Sequence, residues 1–163
     1  MRFLLLLVLI TSSHVIFSQE DYEAEFQKKY ESNIKKEYIN DVYIPSDFQD
    51  AFAELNRLAN EEALQKFKSA DEDVIRRRLH FGIGRWISFN WNFEEGSRFS
   101  HQMKLMGVTF PDDMIEMTIV SFHRHLNGIP LDLEGQSKLF VEKRKLENEE
   151  RKKKAEILDS KRG

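Results

Sequence analysis

The chain has no cysteine among its 163 residues. That absence excludes a disulfide scaffold, thiol catalysis, cysteine zinc sites and a lipidated N-terminal cysteine. No apolar run reaches the ~18 residues that a membrane-spanning helix needs, which excludes a polytopic membrane protein. Positive charge is not in excess either: 25 Lys and Arg stand against 28 Asp and Glu, a formal charge of −3. A generic nucleic-acid binder would be basic, so that class is excluded as well. Sustained strand-like alternation of apolar and polar residues is also missing. What is present is 33% charged and 40% hydrophobic residues, the balance of a globular chain with very polar segments. The length suits one domain plus appendages.

Residues 1–18, MRFLLLLVLITSSHVIFS, read as a secretory signal peptide. Arg2 gives the positive start, Phe3 to Ile10 an eight-residue apolar stretch, and Thr11 to Ser18 a more polar exit. Cleavage after Ser18 leaves Gln19 first and removes one arginine and no acid, so 24 basic and 28 acidic residues remain, a net −4. The expected address is the periplasm or the cell exterior, with no transmembrane segment in the mature chain.

Three segments follow the signal. Residues 19–41 carry seven acids and four lysines, with Tyr22, Phe26, Tyr30, Ile34 and Tyr38 every four residues. This is either one drifting face of a helix or a polar spacer. Residues 42–131 read as an all-α core, a small bundle of about five short helices. Ser46 and Gln49 have capping-box spacing ahead of Phe48, Ala51, Phe52, Leu55 and Leu58. A short helix follows over Glu61 to Phe67. Ser69 and Glu72 have the same spacing ahead of a long stripe, Ile75, Leu79, Ile83 and Trp86. Asn90 to Gly96 read as a loop, and Ser97 caps a helix carrying Phe99, Met103 and Met106 that Gly107 ends. Thr109 and Asp112 offer a further box with Pro111 in the first turn, and Ile115, Ile119, Phe122 and Leu126 follow until Asn127-Gly128. Residues 132–163 hold ten basic and eight acidic residues, which predicts a solvated charged helix. Acid-first pairs such as Glu147–Arg151 support it. Leu139 and Leu146 fit a heptad that Lys153 then breaks.

The densest chemistry lies in HFGIGRWISFNWNFEEGSRF, residues 80–99, with six aromatics, three glycines, two asparagines and two arginines. Gly82 and Gly84 each cost about 1 kcal/mol in a helix, which points to close packing of another helix or a ligand. Arg85, Trp86, Asn90, Trp91, Ser97 and Arg98 bracket the loop and form the candidate binding site, since Arg and Trp are favoured at hot spots. A core-and-cap role for Trp86, Trp91 and the asparagines is the alternative. Metal chemistry is not expected. His123 and His125 point roughly 200° apart on a helix, and Glu116 lies about 10.5 Å along it from His123. No His-Glu-x-x-His occurs, no phosphate loop is formed, and Gly96-Ser97-Arg98 is not a nucleophile elbow. No cofactor is expected.

The same stretch, with PDDMIEMTIVSFHRHLNG (111–128) and the Ile44-Pro45 opening, resembles a bacterial family of small domains of unknown function. The resemblance rests on His80-Phe81-Gly82, Gly84, Trp86, Asn90-Trp91, Gly96-Ser97-Arg98, Pro111 to Met114 and His123 to Asn127. It covers about 42–128 and implies no activity. Phe93-Glu94-Glu95 departs from the more apolar loop that the family pattern carries. The favoured expectation is an exported, non-catalytic helical module that binds a protein partner or a small ligand. The alternatives are a small envelope hydrolase using His80, Glu94, Glu95 and Arg98, with His123 as a further member, and a tether whose Arg151-Lys152-Lys153-Lys154 run meets an anionic surface.

Overall fold

A computed structural model describes residues 21–78 and 80–160. Residues 1–18, expected to be a signal peptide, and Leu79 of the expected stripe lie outside the described residues, as do the side chains of Arg78, His80 and Phe81. The architecture is all-α, with one small hairpin and a long C-terminal helix.

Helix α1 spans 21–33, so the first part of the N-terminal segment is helical, and Lys29 and Tyr30 tie it to Glu95 and His101. Its first aromatics, Tyr22 and Phe26, face solvent, while Tyr30 seats it. The Tyr30 hydroxyl lies 2.8 Å from His101 Nδ1, and Lys104 Nζ sits 4.3 Å from the Tyr30 ring centre. A side chain on Gly96, whose φ is +92°, would collide with the same ring. The four-residue spacing then leaves the helix. Tyr38–Ile39 (β1) and Val42–Tyr43 (β2) pair antiparallel, Tyr38 opposite Tyr43. Asn40 and Asp41 take φ of +50° and +62° between them, the pattern of a two-residue hairpin turn.

Helix α2, Phe48–Leu58, buries Phe48, Ala51, Phe52 and Leu55. Its cap is Asp47 rather than Ser46: Asp47 Oδ1 accepts from the Asp50 amide at 2.9 Å. Ser46 instead donates its amide and hydroxyl to the Asp50 carboxylate. Asn60 caps α3, Glu61–Ser69. Ser69 ends that helix, its hydroxyl turned back to the Lys66 carbonyl, and so does not cap α4, Glu72–Arg78. The expected long third helix is broken by a π-helical turn, His80–Gly84, before α5, Arg85–Asn90.

Helix α6, Arg98–Leu105, starts as anticipated: Ser97 and Ser100 close a reciprocal capping box, and Gly107 takes a φ of +88° beyond its end. Helix α7, Pro111–Leu126, has Pro111 at its start but Phe110 as its N-cap, so Thr109 makes no box. Ten of its residues from Asp113 to His123 are buried, because other helices surround it. Helix α8, Leu133–Ser160, buries Gln136, Ser137 and Phe140 and then runs out with Leu139 and Leu146 exposed. Arg144 anchors it: Nε and Nη2 donate to the buried Asp113 carboxylate at 2.5 and 2.8 Å, and the guanidinium covers the Phe110 ring.

Candidate functional site

The six residues singled out in the sequence do not form one surface. Trp91 is fully buried, edge-on to Phe99 at 5.5 Å, and its indole N–H has no partner among the described residues. Ser97 is also fully buried and spends its hydroxyl on the α6 cap. Asn90 donates its amide to the Trp86 carbonyl at 2.9 Å, a local bond across one helical turn. Arg98 faces inward, its Nε donating to the Ile44 carbonyl at 2.7 Å and its Nη2 lying 3.8 Å from Asp50. Burial would raise the Asp50 carboxyl, but hydrogen bonds from Ser46 and Tyr43, with the Arg98 charge, hold it below its ordinary range. Arg85 is exposed, and Trp86 is half-open to solvent while its ring meets Trp91 at 6.1 Å.

Trp86 stands beside a feature that sequence reasoning missed. An apolar cleft of about 420 Å³ opens between α2, α3 and α4. Leu55 and Ala59 form one wall, Ala63, Leu64, Lys66 and Phe67 of α3 the second, and Val74 and Ile75 of α4 the third. Ala70 and Ile83 close the ends, and Phe122 of α7 lines it as well. Leu55, Ala59 and Ile83 are shared with an adjoining depression completed by Leu58, Gly82 and Trp86. The cleft exists because α3 is amphipathic yet buries none of its residues. Its C-terminal end is fixed by side chains from α7 and beyond. Phe67 meets Phe122 at 5.3 Å, His123 Nε2 donates to the Ala70 carbonyl at 2.9 Å, and Asn127 donates to the Lys68 carbonyl. The opposite wall is held to α7 by charge. Glu72 accepts from Arg124 at 2.8 and 2.9 Å and from Arg76 at 2.7 Å, and Arg76 also reaches Glu116 at 2.6 Å. Arg124, then Arg76, holds the Glu72 carboxyl down to about 2 in spite of burial.

Gly82 changes its meaning in this setting. A Cβ there would meet no atom within 4 Å, so close helix packing does not account for the glycine; it lines the depression that adjoins the cleft. Three of the five residues weighed for hydrolysis are engaged elsewhere, while Glu94 is exposed and the side chain of His80 lies outside the described residues. Glu95 pairs with Lys29 at 2.7 Å, Arg98 is held by Ile44, and His123 lies beneath α3. His125 stacks on Phe52 at 4.7 Å. Among the described residues, no three His, Asp or Glu side chains gather as a metal site would require. No described helix is long and apolar enough to cross a membrane.

Residues 44–126 match the family described as a domain of unknown function (DUF6794), and the chain belongs to that family. The matched span holds every residue lining the cleft and leaves out α1, the hairpin and α8. It agrees with the resemblance to an uncharacterised family of small domains. No match is found among curated proteins or among solved structures.

Proposed function

We propose that this DUF6794 domain is a non-catalytic binding module of an exported protein, and that what it binds enters the apolar cleft between α2, α3 and α4. One observation carries the reading: about 420 Å³ of space is walled by ten apolar residues and a single lysine. Small-molecule sites are usually concave, mostly apolar and roughly 300–1,000 Å³ in size. Gly82 supports it, because a residue that destabilises helical backbone stands where no neighbour requires its small size. Of the six residues chosen from the sequence, Trp86 is assigned to ligand contact, with exposed Arg85 next to it. Asn90, Trp91, Ser97 and Arg98 serve as their frame. Export rests on the 1–18 pattern of a charged start, an apolar stretch and a polar exit.

The test uses a neutral apolar fluorophore, N-phenyl-1-naphthylamine, with the whole chain and its Ala63→Glu variant. Ala63 is exposed and lies third in α3, after the Asn60 cap, where a glutamate suits the helix end. The variant therefore keeps its fold and places a carboxylate in the cleft. Fluorescence should rise with the natural chain and stay at the solvent level with Ala63→Glu at equal thermal stability. Equal enhancement in both would place the probe elsewhere and refute the assignment.

A further inference from the structure

We infer that the occupant of the cleft is a free single-chain amphiphile with an anionic head, of the long-chain carboxylate class; this rests on the cleft being the binding site. The walls, with Leu55, Phe67, Val74, Ile75, Ile83 and Phe122 prominent, offer no polar side chain in their depth. An extended peptide would bury an amide N–H and a carbonyl at each residue without partners, whereas an alkyl chain buries neither. Size separates the chain from a docked helix. A space of about 420 Å³ holds about one turn of a helix ~10 Å across. It holds roughly fourteen methylene groups, if each takes about the 30 Å³ of a water in the liquid.

Charge fixes the head. Lys66 is the one ionisable residue in the lining. Its Nζ lies 2.7 Å from Glu62 one turn earlier, and both side chains are well exposed. An exposed pair of this kind contributes little, so Lys66 exchanges Glu62 for a ligand carboxylate at small cost. A cationic head would meet repulsion at the same place.

The experiment titrates the whole chain, loaded with N-phenyl-1-naphthylamine, with straight-chain carboxylates of increasing length, kept below their micelle concentrations. Dodecanol is the neutral-headed control. Affinity should rise about fourfold per methylene and level off at roughly fourteen carbons, where the cleft is full. Lys66→Gln should weaken dodecanoate about twofold and leave dodecanol unchanged. Glu62→Gln should tighten dodecanoate alone. No dependence on chain length, or equal dodecanoate affinity in Lys66→Gln, overturns the inference. If the fluorophore binds the cleft and no carboxylate displaces it, the amphiphile is wrong and the binding site stands. If neither binds, both fail. Vesicles of phosphatidylcholine and phosphatidylglycerol separate the remaining source of acyl chains. The natural chain and Ala63→Glu should sediment with them equally, and sedimentation lost only in Ala63→Glu would assign the cleft to membrane lipid and overturn a free ligand.

Discussion

Trp86 and Trp91 are five positions apart and meet edge to face at 6.1 Å, yet they occupy different media. Trp91 has no accessible surface, whereas Trp86 keeps 38% of its own. Trp91→Ala should therefore cost about 3–5 kcal/mol in a urea titration, the usual loss for a large buried aromatic. Trp86→Ala should cost less than about 1 kcal/mol and weaken the fluorophore instead. Equal losses would contradict that division. Sequence could not make the distinction, since both tryptophans sit in the same aromatic stretch and the turn of α5 decides which one faces inward. The fate of Ser97 was legible because its cap depends only on neighbours three residues on. That of Arg98 was not, since its partners Ile44 and Asp50 come from the far end of the core. The Glu72 carboxyl is lowered from an ordinary 4.5 to about 2 in the fold. Its contribution is therefore present above about pH 4.5 and is lost as pH falls toward 2. Glu72→Gln should cost about 2 kcal/mol near neutral pH and lose less further stability than the natural chain between pH 5 and 2. Parallel acid profiles for the two chains would show that Glu72 does not hold α4 to α7.

At the scale of elements, local signals located most helices and misplaced several of their ends. Helix α2 starts from Asp47 because that carboxylate reaches the Asp50 amide, while Ser46 is drawn to Asp50 itself. Both residues suit a cap, and sequence cannot rank them. The hairpin escaped notice because strands of two residues cannot display alternation; Asn40-Asp41 was the only available sign. The long stripe through Ile75, Ile83 and Trp86 was real as apolar spacing, but its backbone changes winding at His80–Gly84. Extra residues in a π turn shift the later face relative to the earlier one, and such turns are frequent at functional sites. Gly82 lies in this turn without a positive φ and with open space beside it. Gly82→Ala should raise stability by about 0.5–1 kcal/mol, read as a higher Tm. A fall in Tm would mean that the turn needs glycine's backbone freedom. Helix α3 held the overlooked sign of the cleft. In nine residues its only large apolar side chains are Leu64 and Phe67, too few to bury a full face.

The whole molecule divides into a family core, residues 44–126, and additions that brace it from outside. Helix α1 is seated through Tyr30 and His101, and α8 is pinned through Arg144 and the buried Asp113. Both contacts lie away from the cleft, whose walls come from positions 55 to 122. Fold class followed from periodicity, which is local information. The cleft did not, because it is a gap among four helices and the π turn and no single segment encodes it. That this gap is the binding site can be checked at its own walls by methyl-resolved NMR of the whole chain titrated with dodecanoate. Shifts should concentrate on the methyls of Leu55, Leu64, Val74, Ile75 and Ile83, with Val108 and the α8 residues Leu139 and Leu146 unmoved. Shifts confined to α8, or spread evenly over the molecule, would contradict that assignment.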